Sequence, residues 1–250
     1  DPGEKVLIPS PYWVTYPELV KICGGIPVFI PTRESEDFRL KADAIESLID
    51  KDTKAIIVNS PNNPTGALYS KEDLEEIAKI AQAYDLIIIS DEIYEKFIYN
   101  GQHHISISTI SQDAYERTIV VNGLSKTFAM TGWRIGYTAG PEPLIKAMNS
   151  LQSHTTSNAN SIAQRAGVEA LLNNQERDKF IAKMVSEFSK RREYMVNRIN
   201  NIPHLSCTNP KCAFYVFLNI TQTFGKQING NVIRILLHLH KICWSDIKLL

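Results

Sequence analysis

The chain has 250 residues, 44% of them hydrophobic and 22% charged, with Lys+Arg and Asp+Glu balanced at 27 each. That length supports a substantial core in one large domain or two smaller ones. A net charge of zero offers no electrostatic footprint for nucleic acid or an anionic membrane, which leaves a small molecule as the expected partner.

Strand and helix alternate through the first two-thirds of the chain. VLIP (6–9) predicts a short strand, PELVKICGG (17–25) a helix stopped by Gly24-Gly25, and IPVFI (26–30) a second strand. KADAIESLI (41–49) predicts a helix and KAIIVN (54–59) a β-branched strand ended near Pro61. Ser70 is placed to cap the next helix, whose apolar face is Leu74, Ile77, Ala78 and Ala81. LIIIS (86–90) and TIVVN (118–122) are apolar on both faces, as strands of a parallel sheet covered by helices are. The fold class is therefore α/β, with a mostly parallel sheet flanked by helices.

After Pro141 the pattern changes. LIKAMNSL (144–151) and residues 160–172 predict helices, and residues 175–200 a long one without internal Gly or Pro. LSC (205–207) and AFYVFLNI (213–220) predict short strands. A long helix leading into an α+β segment suggests a connector to a partial small domain.

Other features are bland. Cys23, Cys207, Cys212 and Cys243 form no C-x-x-C pair, which predicts unpaired thiols in a reducing, cytoplasmic compartment. Neither His103-His104 nor His238-x-His240 has a carboxylate or cysteine at ligand spacing, so no metal is expected. VIRILLHLHKICW (232–244) is too short and too interrupted to span a bilayer.

Chemistry gathers beyond the carboxyl ends of parallel strands. KAIIVN is followed by SPNNPTG with Asn63, LIIIS by DEIYEKF with Asp91 and Tyr94, and TIVVN by GLSK with Lys126. Each residue has an ordinary alternative. Asn63 before Pro64 can organise a turn, Asp91 can cap a helix, Tyr94 can be a core aromatic, and Lys126 can be a surface lysine. One cofactor explains the set. Pyridoxal phosphate needs an amine for a Schiff base, a carboxylate at its ring nitrogen, and donors for its phenolic oxygen and phosphate. Arg134 supplies a planar fork for phosphate, and Gly132 and Gly136 beside it allow close backbone approach.

PSPYWVTYPE, NSPNNPTGALY, SDEIYEKF and LSKTFAMTGWRIGY, in this order and spacing, resemble the class I (fold-type I) pyridoxal-phosphate-dependent aminotransferases, most closely the bacterial-type aspartate aminotransferases. The resemblance runs from about residue 2 to about 225. It implies Lys126 as the Schiff-base lysine and Asp91 as the ring-nitrogen partner, with Asn63 and Tyr94 at the phenolic oxygen. It implies Arg134 at the phosphate with Ser125 close by, Trp13 stacked over the ring, and Trp13 and Asn63 at the substrate. The activity implied is transamination, with aspartate and 2-oxoglutarate as the expected pair. The alternatives are an aromatic or prephenate aminotransferase, a carbon–sulfur lyase, or an inactive fragment. A homodimer in amino-acid biosynthesis is the family's habit.

The same resemblance divides the chain into a partial large domain (1–145), remaining large-domain helices (146–174), a connecting helix with the start of a small domain (175–225), and a divergent tail (226–250). It has departures. Because the chain opens at Asp1, roughly ninety to a hundred residues of a two-domain enzyme are expected before it. Gly123 stands where many relatives carry a phosphate-binding serine, and Cys212 where the family has glycine. Beyond Gly225 no arginine matches the one that grips a substrate carboxylate, and a shifted reading frame or a truncated gene is the expected cause.

Overall fold

The computed structural model describes residues 1–228 and 231–232. Six strands form one sheet in the order β2-β1-β3-β4-β5-β6. They are β1 (Lys5–Ser10), β2 (Ile26–Pro31), β3 (Thr53–Asn59), β4 (Ile87–Asp91), β5 (Thr118–Gly123) and β6 (Gly136–Ala139). The first five run parallel, and β6 pairs antiparallel with β5. Strand order reverses between β1 and β3, which puts a topological switch point at the ends of those two strands, on the same rim as the ends of β4 and β5.

Alternation along the strands explains why both faces are apolar. Leu7, Ile56, Val58 and Ile88 turn to one face and join Leu40, Ile45, Leu74, Ile77, Leu86 and Ile107 in the main core. Their cover is α2 (Ala42–Glu46), α3 (Lys71–Ala83) and α4 (Gln112–Arg117). Ile8 and Ile57 turn to the other face, where Tyr16 and Val20 of α1 (Thr15–Ile22) meet them. α3 starts where Ser70 and Asp73 cap each other's backbone N–H in a capping box, at 3.2 and 2.9 Å.

The chain continues through α5 (Leu124–Thr127), α6 (Glu142–Thr155), α7 (Ser161–Leu172) and the 27-residue α8 (Asn174–Asn200). Met184 and Phe188 of α8 pack against Tyr94 and Phe97, tying the long helix to the end of β4. No helix among the described residues is long and apolar enough to cross a membrane.

The strand expected over 213–220 is a departure. Only Leu218–Asn219 (β8) is a strand there, paired antiparallel with Ser206–Cys207 (β7). Ala213 takes a left-handed φ of 57°, which breaks the extended run, and packing overrides strand propensity after it. Phe214 and Tyr215 pack their rings edge-on against Tyr94, with centroids 5.2 and 5.8 Å away. The sequence pattern also missed β6 and α5. A last two-residue ladder joins Gln227–Ile228 (β9) to Asn231–Val232 (β10). Most of the tail expected to diverge lies outside the described residues.

Candidate active site

The loop after β3 is held from within. Asn62, not Asn63, organises the turn: its side-chain oxygen accepts from the Thr65 N–H at 3.1 Å and the Thr65 hydroxyl at 2.7 Å. Asn59 closes the base. Its amide donates to the carbonyls of Pro61 and Asp91, and its oxygen accepts the Asn63 N–H at 2.9 Å. Gly66 has φ of +70°, and a Cβ there would lie 2.5 Å from the Cβ of Pro210. The loop can therefore end only in glycine where the 210 segment crosses it. Cys212 completes that crossing: its buried thiol lies 3.2 Å from the Gly66 carbonyl and 3.1 Å from that of Ala67. Burial pushes this thiol up to about 12.

Asp91 ends β4, where its backbone pairs between Asn59 and Val121. One carboxylate oxygen accepts the Ile93 N–H at 3.2 Å, as a capping aspartate does. The other accepts the Tyr16 hydroxyl at 2.6 Å. Burial pushes the Asp91 carboxyl above its ordinary value, while the Tyr16 and Ile93 hydrogen bonds and the Lys126 charge favour the anion. The Tyr16 hydroxyl is itself pushed up by burial and by Asp91, so it stays a donor. Tyr16 lies three residues beyond Trp13 in the motif PYWVTY, yet nothing in its spacing foretold a partner 75 positions away.

Lys126 sits in α5, directly after β5, with its Nζ 5.8 Å from the Tyr94 ring centroid and 5.7 Å from that of Phe214. These are contacts at the usual cation–π range. Gly123 has a packing reason to be glycine: a Cβ there would stand 3.0 Å from the Cα of Gly136 on β6. A serine at that position would crowd the β5–β6 pair. Arg134 takes a left-handed φ of 53°, and its guanidinium donates to the Thr131 carbonyl at 2.8 Å. Thr131 in turn donates to the Ser125 carbonyl at 3.0 Å, linking the arginine turn to the lysine helix.

Tyr94 shares a 2.7 Å hydroxyl–hydroxyl hydrogen bond with Tyr215, a residue that its own sequence context did not single out. Burial first, and then that bond, push the Tyr94 hydroxyl up, while the Asn63 side chain beside it acts in the opposite direction. Trp13 stands at the mouth, its ring edge-on to Tyr16 at 5.4 Å and 42% exposed.

These elements enclose one cavity of about 290 Å³. Trp13, Asn63, Asp91, Tyr94, Ser125, Lys126 and Arg134, the seven residues picked from the sequence, all line it, together with Tyr16 and Tyr215. It holds an amine, a desolvated carboxylate, three tyrosyl hydroxyls and a guanidinium within one small concavity.

Comparison with known proteins gives the family. The family model described as aminotransferase class I and II matches residues 1–245, past Gly225. An aspartate aminotransferase of Geobacillus stearothermophilus is 44% identical over 219 residues, which cover 88% of this chain and 55% of the relative. A probable aspartate/prephenate aminotransferase of Aquifex aeolicus is 40% identical, over 93% of this chain and 58% of its own length. The crystal structure of an aspartate aminotransferase from Rhizobium meliloti superposes with a TM-score of 0.94 at 38% identity, covering 98% of this chain and 61% of that one. The chain thus spans little more than half the length of the relatives it matches. It belongs to the class I and II aminotransferases.

Proposed function

We propose that this chain carries the cofactor and substrate centre of an aspartate aminotransferase that uses 2-oxoglutarate as its second substrate. The observation that carries this reading is the convergence of all seven residues on one cavity with Asp91 desolvated in its wall. Aspartate is supported by the names of the relatives, most of which include it, and 2-oxoglutarate is what the family resemblance implies.

The cofactor of this family is pyridoxal phosphate, and the donor set fits it. Lys126 is the amine for covalent attachment, Asp91 the carboxylate for the ring nitrogen, and Tyr94 and Asn63 the groups for the phenolic oxygen. Arg134 and Ser125 would hold the phosphate, and Trp13 would cover the ring. When bound, the cofactor supplies an electron sink for the carbanion left at the substrate α-carbon. The chain's own residues do the rest. Lys126 moves the α-proton as general base and then acid. Asp91 holds a proton on the ring nitrogen, with Tyr16 fixing the carboxylate from the α1 side. Tyr215 fixes Tyr94. Asn63 and Trp13 orient the amino acid at the mouth. The reading extends to a cytoplasmic homodimer in amino-acid biosynthesis, and to the division into large domain, connector and small domain given by the sequence; both follow from the family resemblance.

The test is to incubate the purified chain with pyridoxal phosphate, reduce with borohydride and locate the added pyridoxyl mass. It is expected on Lys126 and lost in Lys126→Ala. In a second sample, loaded with the cofactor but not reduced, aspartate and 2-oxoglutarate are expected to yield oxaloacetate and glutamate. No trapped mass in a folded chain defeats the cofactor reading; trapping without turnover identifies a binding fragment.

A further inference from the structure

Behind Asp91 lies a second carboxylate that the reaction as described does not use. Glu92 is the next residue, and strand alternation turns it to the opposite side, into the protein. Its side chain is only 5% exposed. Ser90 donates to its Oε1 at 2.8 Å and Ser106 at 2.6 Å, and the Nε2 of His104 lies 2.8 Å from its Oε2. Ser106 is itself hydrogen-bonded to Ser108. The Glu92 backbone N–H donates to the Val121 carbonyl on β5, five residues before Lys126. Buried carboxylates are uncommon without such partners, and one this well served is built to stay ionised. Hydrogen bonding from His104 and the two serines outweighs burial, so the Glu92 carboxyl titrates below its ordinary value.

We propose that Glu92, seated by Ser90, Ser106 and His104, is a positioning residue of the site: it fixes the end of β4 and places a permanent negative charge behind Asp91, so that Asp91 holds the proton of a cationic nitrogen heterocycle more firmly. The part concerning the heterocycle rests on the cofactor reading above. Two influences then meet at Asp91. From the front, the Tyr16 hydroxyl, the Ile93 N–H and the Lys126 ammonium favour its anion; from behind, Glu92 opposes ionisation. His104 sits at the far end of the relay, its Nδ1 buried without a hydrogen-bond partner among the described residues. Removing the Glu92 charge leaves burial alone to oppose the front set, and Asp91 becomes a weaker base.

The experiment reads carboxyl ¹³C resonances in the full chain without cofactor, and so is independent of whether pyridoxal phosphate binds. In the unmodified chain the Glu92 resonance is expected to remain that of an ionised carboxylate throughout the range in which Asp91 titrates. A Glu92 protonated near neutral pH overturns the proposal with no variant needed. In Glu92→Gln the Asp91 midpoint is expected to fall by about one pH unit, a tenfold change in its proton equilibrium. In Ser106→Ala, which keeps the charge, it is expected to stay near the parent value. Equal Asp91 midpoints in the parent and Glu92→Gln also overturn the proposal. In chain loaded with pyridoxal phosphate, where Lys126 trapping has succeeded, the aspartate half-reaction of Glu92→Gln is expected to lose kcat rather than affinity. Failure of trapping counts against the cofactor reading alone, because the Asp91 titration stands without it.

Discussion

On one face of the sheet, Leu7, Ile56 and Ile88 lie beneath α2, α3 and α4, almost wholly closed to solvent. On the other face, Val6, Ala55, Ile57, Ile87 and Ile89 border an apolar cleft of about 480 Å³ that α1 covers only in part. The strands are equally hydrophobic on both sides, so composition is not what separates the faces; the number of helices laid over each is. The contrast repeats in miniature at the end of β4. Asp91 turns toward the open side and is held by a tyrosine and one backbone N–H, whereas Glu92 turns toward a closed polar nest of two serines and a histidine. The closed side stores stability. Asp91, which lines the candidate site, borders the open cleft as well.

The largest effect expected from this contrast is in the closed core. Ile56→Ala should destabilise the chain by about 2–5 kcal/mol in denaturant unfolding, because rigid neighbours leave a cavity. Next comes Glu92→Gln, expected to cost about 1–3 kcal/mol at neutral pH by turning an acceptor of three hydrogen bonds into a mixed group. Its signature is also in the acid limb. A carboxyl whose folded value is depressed adds stability above its unfolded value, ordinarily 4.5, and loses it as pH falls through the folded one. The parent should therefore lose more of its melting temperature between neutral and acid pH than Glu92→Gln does.

Asp91 should behave with the opposite sign. Its folded value lies above the ordinary 3.8, so the folded chain binds the extra proton and stability declines as pH rises through that window. Asp91→Asn is expected to raise the melting temperature at pH 7; a lower melting temperature would mean that the carboxylate is a structural asset. Smallest of all is Ile87→Ala. Ile87 borders the cleft and is 37% exposed, so a loss under about 1 kcal/mol is expected. A loss matching that of Ile56→Ala would erase the distinction between the faces.

Much of this was legible in the amino-acid order because the signals were local. The runs that predict β1 to β5 are uninterrupted apolar stretches bounded by turn formers, and Ser70 announces α3 by its own capping chemistry. β6 escaped because Gly136–Ala139 is short, begins with glycine and presents no buried face. α5 escaped because four residues are too few to show a helical period. In AFYVFLNI the residues favour a strand, but Phe214 and Tyr215 are claimed by the rings of Tyr94 and Phe188, which lie far away in the sequence. The site divides the same way. Strand ends marked Asn63, Asp91, Tyr94 and Lys126, the chemistry of a phosphate clamp marked Arg134, and the family resemblance added Trp13 and Ser125. The groups that hold them, Tyr16 on Asp91 and Tyr215 on Tyr94, were silent because their partnerships exist only once the chain has folded.

The crossing of Cys212 over Gly66 has a practical consequence. A thiol pushed up to about 12 and shut away from water is almost inert to alkylating reagents, because the thiolate is the nucleophile. It becomes reactive only when the 210 segment lifts from the loop that carries Asn63. Followed by mass spectrometry peptide by peptide, the labelling of Cys212 is a clock for that motion, and exposed Cys23 gives the unprotected rate in the same tube. Ligands that settle against Asn63 should slow the clock, and they can be ranked by how long the sulfur stays hidden.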